Sequence, residues 1–424
     1  MKVVQMKKVV LNGIMVASLV AAGLLHAQNT HTLQPGVSPS LEEAVATAVS
    51  GDTIELETGV YTLTDNLTVD KKLTIQGTAG TTREDVIIDG DGKYNIRLTA
   101  NNTEVWGVTI QNGASSDLNG GGISLTGTNT LLANCVVTNC KKVASANNAP
   151  GGVYVSAPGA TVSNCVITAN KSATYGGGIR IEEGILVDSL VEGNTAESES
   201  GGGVWMDRNS IVDRCVIRGN KAQQGAGGVW QRSGILRNSL VIGNQASGIT
   251  PGSNGGGGIH MVTYTQATGR TLENCTIVGN HAVGVGGGLR ITEATVLRNL
   301  IVAGNTSANA NVLVRDVYRA NTGFAVTHSY IGSGLDNYTN TSGILTLAAD
   351  GTPGFKDDTD PNPLLNDYRL NKKTSPCIGT GLYQPWMDTA FALDGTPRLF
   401  KGEVDMGAYQ NHKLLILPTL ILVK

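Results

Sequence analysis

The chain has 424 residues and a formal net charge of −3, with 56 glycines, 15% charged residues and only 4% aromatic residues. Such a low and nearly balanced charge argues against a disordered charged tail, and gives no electrostatic reason to bind nucleic acid or anionic lipid. The glycines follow no Gly-X-Y period, which excludes a collagen-like chain.

Residues 1–27 have the order of a secretory signal peptide. Three lysines precede an apolar stretch from Val9 to Leu25, and the small residue Ala27 follows. We therefore predict a secreted or surface-exposed protein, with an uncleaved membrane anchor as the alternative. The apolar tail Leu414–Val423 is too short to cross a bilayer, so the sequence predicts no transmembrane span elsewhere.

The rest of the chain is organised by repeats. Two glycines followed by an aliphatic residue recur seven times, at spacings of 25 to 30 residues. The aliphatic positions are Ile123, Val153, Ile179, Val204, Val229, Ile259 and Leu289. Periods of this length are typical of stacked repeats, and the β-branched units with two-residue alternation favour strands. Each period therefore predicts one coil of a β-solenoid with two or three short strands.

An asparagine follows nearly every second strand unit of these coils at a fixed distance. The column consists of Asn170, Asn194, Asn220, Asn244, Asn280 and Asn305, to which we also assign Asn112. Only Cys140 interrupts it. We interpret the column as one left-handed turn residue per coil, whose amides stack along the axis. The glycine pairs predict a corner with positive φ or close backbone approach.

These patterns predict an all-β protein. We expect a parallel β-helix over residues 28–352, with regular coils at about 105–310. Leu41–Val49 is predicted to be a short amphipathic helix that covers the open N-terminal end. Residues 353–424 are richer in proline, aspartate and aromatic residues, and are predicted to form an irregular cap at the other end.

Three segments carry a resemblance to a known superfamily. They are SLEEAVATAVSGDTIELETGVYTLTDNLTVDKKLTIQG near the start, NCTIVGNHAVGVGGGL in the repeats, and DYRLNKKTSPCIGTG with DGTPR and VDMGAYQ near the end. On these segments the chain resembles the right-handed parallel β-helix (pectin-lyase-like) proteins that bacteria secrete. The repeats are similar to those of polymorphic outer-membrane proteins, and the last segments resemble the choice-of-anchor Q region.

The resemblance implies the fold and a secreted or outer-membrane-surface location. Within the superfamily, polygalacturonase-type enzymes carry paired aspartates, and pectate lyases carry calcium-binding acids with an arginine base. No motif of this chain matches either pattern, so the resemblance implies no catalytic residue.

The cysteines and the acidic turns raise the question of disulfides and metals. Cys135, Cys165, Cys215 and Cys275 share one inward column and are interpreted as small core residues. A disulfide is conceivable between Cys135 and Cys165, which lie on neighbouring coils. No spacing matches a zinc motif, so we predict no metal site and no cofactor. Lys356–Asn362 offers hard oxygen ligands for Ca²⁺, with a solvated turn as the alternative.

The outward side of one strand per coil carries the candidate functional residues. Alternation turns the residue after each aliphatic position outward. That column is Ser124, Tyr154, Arg180, Trp205, Trp230, His260 and Arg290. Two residues later, a second outward column is Thr126, Ser156, Glu182, Asp207, Arg232, Val262 and Thr292. Trp205 and Trp230 are thus predicted to be exposed platforms on adjacent coils. Alternatively, these aromatic residues stabilise the sheet or lie under a loop.

Loop lengths support a binding surface at this place. The connections at 141–150 and 245–255 are long, and the three coils between them have short ones. This predicts a trough about 14 Å wide. Aromatic faces beside forked guanidinium groups suit a sugar ring and a uronate carboxylate.

We therefore expect an extracellular, monomeric protein. It is predicted to bind a polysaccharide or a host or cell-surface glycan, and an acidic polymer is favoured. The predicted contacts are Tyr154, Arg180, Trp205, Trp230, Arg232 and Arg290. If the protein also cleaves its ligand, as a lyase or a glycoside hydrolase, the candidate catalytic residues are Glu182, Asp207 and His260. The alternative is a non-catalytic surface adhesin or structural β-helix protein.

Overall fold

The computed structural model describes residues 28–117, 119–143, 149–248, 255–262, 269–293, 296–308, 315–320, 325–333, 341–346 and 352–411. The predicted signal segment 1–27 and the apolar tail therefore lie outside the described residues. The described chain forms a parallel β-solenoid with four strands in each regular coil, where two or three were expected.

Sheet 1 has 13 parallel strands. They are Thr30–Leu33, Thr53–Leu56, Thr74–Gly77, Glu104–Trp106, Leu131–Ala133, Thr161–Ser163, Ile185–Val187, Ile211–Asp213, Gly234–Arg237, Arg270–Glu273, Val296–Arg298, Val326–Thr327 and Thr341–Ser342. Sheet 2 has 12 parallel strands. They are Gly59–Thr62, Val86–Asp89, Thr109–Gln111, Val136–Thr138, Val166–Thr168, Leu190–Glu192, Val216–Arg218, Leu240–Ile242, Thr276–Val278, Ile301–Ala303, Tyr330–Ile331 and Leu345–Thr346.

Sheet 3 has eight strands of two residues each. They are Ala114–Ser115, Lys141–Lys142, Lys171–Ser172, Thr195–Ala196, Lys221–Ala222, Gln245–Ala246, His281–Ala282 and Thr306–Ser307. Sheet 4 has ten strands and carries the predicted functional columns. They are Leu67–Val69, Ile96–Leu98, Ile123–Leu125, Val153–Val155, Ile179–Ile181, Val204–Met206, Val229–Gln231, Ile259–Met261, Leu289–Ile291 and Val317–Arg319.

The solenoid core is made by the inward residues of sheets 1, 2 and 4. The seven aliphatic positions after the glycine pairs are in register on neighbouring strands of sheet 4 and are buried, as predicted. The glycine pairs are required by close approach. A Cβ on Gly202 would lie 2.2 Å from the carbonyl oxygen of Lys221 and 2.5 Å from that of Gly227.

The asparagine column forms a buried hydrogen-bonded ladder. Oδ1 of Asn220 accepts from the backbone nitrogen of Asn194 at 2.9 Å and from its Nδ2 at 3.0 Å. Nδ2 of Asn220 donates in turn to Oδ1 of Asn244 at 3.0 Å and to the carbonyl oxygen of Val191 at 2.9 Å. The same pattern runs from Asn170 to Asn305 and ends on a carboxylate.

The turn conformation of this column differs from the prediction by one residue. The left-handed residue is the one before each ladder asparagine, for example Gly219 with φ 61°. Asn112, with φ 54°, belongs to that left-handed position and accepts from Asn139, so its assignment to the ladder column was wrong. Strand pairing places Gly113, and not Asn112, opposite Cys140, because Ile110 pairs with Val137.

The four predicted core cysteines are fully buried, and all six cysteines of the chain are free. No disulfide joins Cys135 to Cys165. Burial raises the pKa of the Cys215 thiol and raises that of Cys275 to about 12. The cysteines therefore act as small apolar residues in the core.

At the N-terminal end, an α-helix spans Leu41–Thr47 and packs its apolar face on the solenoid core, as predicted. Ser40 and Glu43 form a reciprocal capping box at its start. No helix within the described ranges is long and apolar enough to cross a bilayer.

The C-terminal region contains an antiparallel hairpin of Phe355–Asp357 with Asp367–Leu370, and 3₁₀ turns at Pro363–Leu365 and Pro385–Asp388. It was expected to close the end of the solenoid. In the described residues it packs on the outer surface of sheet 2, where an apolar cluster joins it to the last coils. That cluster includes Leu240, Ile242, Val278, Ile301, Tyr330, Phe355, Tyr368, Leu393 and Met406.

Within this region, Arg398 of the DGTPR segment is fully buried. Its Nη2 donates to the carbonyl oxygens of Asp405 at 2.6 Å and Gly407 at 2.7 Å. These hydrogen bonds join the DGTPR and VDMGAYQ segments into one unit.

Candidate functional site

The predicted outward column of sheet 4 forms as expected. Each member lies directly beside the corresponding member of the next coil. The paired residues are Ser124, Tyr154, Arg180, Trp205, Trp230, His260, Arg290 and, as an addition, Tyr318. Neighbouring strands are about 4.8 Å apart, so the column is a continuous stack along the solenoid axis.

Guanidinium groups contact Trp205 from two positions. Cζ of Arg180 lies 4.2 Å from the centroid of the indole ring, and Cζ of Arg232 lies 5.0 Å from it. The Arg180 guanidinium is also 5.8 Å from the ring of Tyr154. These are cation–π distances, so the aromatic and basic side chains of the two outward columns hold one another in place.

The other half of the stack contains Trp230 and His260. Their rings meet edge to face, with centroids 4.7 Å apart and an interplanar angle of 74°. Burial and the neighbouring Arg290 guanidinium hold the pKa of His260 well below its usual range, so the imidazole is uncharged at neutral pH. Neither of its ring nitrogens has a hydrogen-bond partner within the described part of the chain.

The prediction that Trp205 is an exposed platform was wrong. Its exposed fraction is 3%, and His260 and Arg290 are also buried, while Trp230 is half-buried. Trp205 is covered by the guanidinium groups of Arg180 and Arg232, and His260 by the turn that leads from sheet 3 into sheet 4. A Cβ on Gly225 would lie 3.0 Å from Nδ1 of His260 and 3.1 Å from the Trp230 ring, so this turn lies over the outward column. The short connections thus cover the coils that the sequence suggested were bare.

The two candidate acids are held by basic groups. Glu182 is buried and binds Nη2 of Arg180 at 2.6 Å, Nη1 of Arg208 at 3.3 Å and the hydroxyl of Tyr154 at 3.2 Å. Burial and this carboxylate raise the pKa of Tyr154.

Asp207 has a similar environment. Its Oδ2 lies 3.3 Å from Nη1 of Arg232, and its Oδ1 accepts from Ser233 at 3.2 Å and from the backbone nitrogen of Arg208 at 2.9 Å. Both carboxylates therefore position arginine side chains.

Three residues near Arg180, Arg232 and Glu182 lie outside the two outward columns, so the column pattern did not predict them. Arg208 follows the Trp205 strand in a left-handed turn with φ 48°, and its side chain is 57% exposed. Tyr175 and Glu199 come from turns between sheets 3 and 4. Burial and a hydrogen bond to Glu199 raise the pKa of Tyr175, against the opposing influence of Arg232. Residues in turns have no counterpart in every coil, so periodicity cannot find them.

The two long connections that were predicted to flank the trough are described only in part. Residues 144–148 and 249–254 of the two long connections lie outside the described residues. The acidic segment Lys356–Asn362 begins in the hairpin strand Phe355–Asp357 and continues as an exposed loop. In this segment Asp357 accepts from Thr359, and Asp360 accepts from the backbone nitrogen of Asn362. In the ranges that the structure covers, no three acidic, histidine or cysteine side chains converge as metal ligands.

Comparisons with known proteins agree with this architecture. The family model described as the right-handed β-helix region matches residues 94–263. Pectate lyase Pel9A has a similar structure, at a TM-score of 0.52 and 12% sequence identity, with 91% of this chain and 97% of that chain covered. The chain adopts the right-handed parallel β-helix fold. At this level of identity, the likeness concerns the fold alone.

Two further solved β-helix structures match at lower TM-scores. The family PL6 alginate lyase AlyGC is 14% identical, with a TM-score of 0.43 and coverage of 86% of this chain and 60% of that chain. A pectin methylesterase from Aspergillus niger is 13% identical, with a TM-score of 0.37 and coverage of 70% and 91%. A search of curated proteins found no match.

Proposed function

We propose that this β-helix protein binds an acidic extracellular polysaccharide along the outer face of sheet 4. The observation that carries the proposal is a group of three arginines: Arg180 and Arg232 contact the Trp205 ring, and Arg208 binds the same Glu182 carboxylate as Arg180. Guanidinium forks bind carboxylates through paired, charge-assisted hydrogen bonds, which favours a uronate-containing polymer. The fold of pectate lyase Pel9A, whose name refers to an acidic polysaccharide, is consistent with this choice.

The side chains that a ligand would contact first differ from those predicted from the sequence. Trp205 orients the guanidinium groups from below, and the exposed Arg208 is the first group that a polymer would meet. Tyr154 and Trp230 are half-buried at the two sides of this cluster and supply partial apolar surface. The repeat of the coils, about 4.8 Å, lets successive arginines meet successive acidic groups of a polymer that runs along the axis.

The proposed activity is binding without cleavage. A hydrolase needs one carboxylic acid that donates a proton and one carboxylate that acts as base or nucleophile. Glu182 and Asp207 are both engaged with arginines, and His260 lies under a turn. These contacts favour a positioning role for the two acids.

We also propose that segment 1–27 exports the protein and that it works outside a bacterial cell, as a secreted or surface-associated molecule. The motive is the order of charged, apolar and small residues in that segment. Determining the N-terminal residue of protein recovered from the medium or the cell surface tests this proposal. A chain beginning at Gln28 supports it, and a chain retained with its first 27 residues contradicts it.

A second candidate function is that of a non-catalytic adhesin or structural β-helix protein. The burial of Trp205 and His260 favours it, since aromatic residues that stabilise a sheet need no ligand. Under this alternative, no polysaccharide binds at sheet 4.

The deciding experiment measures binding of polygalacturonate, alginate and neutral dextran to the full chain and to variants. We expect the double variant Arg208→Gln with Arg232→Gln to weaken binding of the acidic polymer at least about tenfold, because two charge-assisted contacts are lost. Arg218→Gln is the matched control. Arg218 lies on the same coil as Trp205 but on sheet 2, where it pairs with Glu192 at 2.8 Å.

The possible outcomes separate the candidates. Acidic-polymer binding that the double variant loses and the control keeps supports the proposal. No binding of either acidic polymer to the wild-type chain favours the structural candidate. If the Arg218→Gln control loses binding equally, binding depends on the overall charge of the protein and not on the arginines of sheet 4. Ultraviolet absorbance of unsaturated products from the wild-type chain would contradict the absence of cleavage.

A further inference from the structure

The outer face of sheet 1 carries a stripe of mostly aliphatic side chains. One outward residue from each of seven consecutive strands contributes to it, and strand pairing holds these residues side by side. They are Leu131, Thr161, Ile185, Ile211, Ile235, Thr271 and Val296, called the aliphatic stripe below. All seven are half-buried, and the residue after each of them is buried in the core. At about 4.8 Å per strand, the stripe is about 29 Å long.

No described segment accounts for the apolar character of this face. The aliphatic members of the stripe belong neither to the solenoid core nor to the cluster that joins the C-terminal region to sheet 2, as far as the chain is described. The neighbouring outward column of sheet 1 adds Val187 and also Trp106, whose exposed fraction is 40%. A continuous apolar surface of this kind marks a site of contact with another apolar surface.

The order of residues along the stripe is the same from both ends. Counted outward from Ile211, each direction reads aliphatic, threonine, aliphatic. The matched pairs are Ile185 with Ile235, Thr161 with Thr271, and Leu131 with Val296. A two-fold axis that passes Ile211 along the strand direction therefore sets aliphatic residues against aliphatic residues and threonine against threonine. Such self-complementarity is the requirement for a symmetric dimer.

The same two-fold axis keeps the C-terminal regions of two copies apart. This region contacts sheet 1 at Arg237, whose Cζ lies 4.4 Å from the centroid of the Trp386 ring. Arg237 is one coil beyond Ile211 in the C-terminal direction. Rotation about Ile211 therefore places the two C-terminal regions on opposite halves of the contact. Each one then faces the coils that carry Trp106 and Val187 in the other copy.

We propose that two copies of this chain associate face to face through the aliphatic stripe, with antiparallel solenoid axes and Ile211 at the two-fold axis. A second copy has the same strand spacing, so the side chains of the two sheets interdigitate along the whole stripe. The inference does not rest on the proposed function, because the arginine group lies on sheet 4. It replaces the monomer expected from the sequence.

Two features set the strength of this dimer. The stripe is narrow beside a standard interface of about 800 Å² per partner, so association should depend on protein concentration. Arg208 is exposed on the turn between the Trp205 and Ile211 strands, and the two-fold axis brings both copies of it to one edge of the contact. Salt screens this repulsion. We therefore expect a stronger dimer at high than at low sodium chloride concentration.

Sedimentation velocity of the full chain over a range of concentrations tests the proposal. Ile211→Arg should weaken association at least about tenfold, because two guanidinium groups then oppose each other across the axis. Val143→Arg is the matched control. Val143 is an aliphatic residue of another face, with an exposed fraction of 56%, and its substitution should leave association unchanged.

A second variant covers the case in which Ile211→Arg fails to fold. The double substitution Ile185→Thr with Ile235→Thr keeps β-branched side chains, which suit strands, and removes aliphatic contact area. Its circular dichroism should match that of the wild-type chain, and its association should also be at least about tenfold weaker.

Crosslinking with a short bismaleimide tests the antiparallel arrangement. All six natural cysteines are buried, so they should not compete for the reagent. A chain with Ile211→Cys should be linked to a copy of itself. Leu131→Cys alone should not, because its two copies lie about 29 Å apart. A mixture of Leu131→Cys and Val296→Cys chains should be linked.

The following results would overturn the proposal. The wild-type chain stays monomeric at every concentration and both salt levels, or its dimer survives both the Ile211→Arg and the double substitution. Self-linking of Leu131→Cys would indicate parallel axes. A dimer that disappears when residues 412–424 are removed would assign the contact to that apolar segment.

Discussion

The guanidinium group of Arg180 stacks on the indole ring of Trp205 and binds the carboxylate of Glu182 at the same time, at 4.2 Å and 2.6 Å respectively. Arg180 and Trp205 are direct neighbours on adjacent strands of sheet 4. A side chain held by two partners is pre-organised, and this lowers the entropic cost of ligand binding. The same contacts make Trp205 part of the folded structure.

We expect Trp205→Ala to lower the free energy of unfolding by about 2–4 kcal/mol, because a buried aromatic side chain that contacts two guanidinium groups is lost. Urea denaturation monitored by circular dichroism measures the change. The matched control is Trp106→Ala on sheet 1, where the side chain is 40% exposed. A similarly small effect of both substitutions would show that Trp205 is not buried in solution.

Asn220→Ala should destabilise the protein by about 1–3 kcal/mol, since it removes a buried amide that makes four hydrogen bonds to the neighbouring coils. Gln223→Ala, in the same coil but exposed, should change stability by less than about 0.5 kcal/mol. Denaturant midpoints of the two variants give the comparison. If both variants match the wild-type midpoint, the ladder contributes no net stability.

The carboxylate at the end of the ladder predicts a pH dependence. Asp316 accepts from the backbone and side-chain nitrogens of Asn305, both at 2.9 Å, and burial raises its pKa above the ordinary 3.8. A raised folded-state pKa means that the folded protein holds the proton more tightly. The stability contribution is therefore fully present below the unfolded-state pKa and is lost as the pH rises through the folded-state pKa.

Asp316→Asn keeps the acceptor oxygen and removes the buried charge. We expect this variant to be more stable than the wild-type chain at pH 7, and the difference to close as the pH falls below about 3.8. Unfolding midpoints measured across this range test the sign. A wild-type chain that is the more stable one at pH 7 would contradict the prediction.

The thiols give a prediction that needs no substitution. All six cysteines are buried and free, and burial raises the pKa of Cys140 and of Cys275 to about 12. We expect almost no reaction with a thiol reagent in the folded state, and six thiols per chain in denaturant without reductant. Four thiols per chain would reveal a disulfide, for which Cys135 and Cys165 are the nearest candidates.

Strand register was predictable residue by residue. The outward neighbours Trp205 and Trp230, and the inward column that begins at Ile123, are paired as the repeat spacing indicated. Alternation along a strand has a period of two. An aliphatic column that stays in phase over seven coils is therefore compatible with only one assignment of inward and outward residues. The core cysteines and the N-terminal helix followed from the same kind of pattern.

Other features depended on contacts that a repeat does not contain. The left-handed residue precedes each ladder asparagine because the asparagine side chain is needed inside the solenoid, and the adjacent Gly219 position takes the turn. Arg208 and Tyr175 joined the site from turns that differ between coils. A cavity between sheet 2 and the C-terminal region arises where residues more than 50 positions apart, such as Thr306 and Asp358, meet across two structural units.

The sequence by itself determined the solenoid, the inward aliphatic column of sheet 4 and the membership of the two outward columns, because these follow from local periodicity repeated in phase. Only the tertiary structure decided how exposed those columns are and where the C-terminal region packs. Exposure depends on which distant segment covers a surface: the turn at Gly225 buries His260, and the hairpin at Phe355 covers sheet 2. Such contacts depend on the complementary shape and the apolar surface of segments that the repeat does not relate to each other.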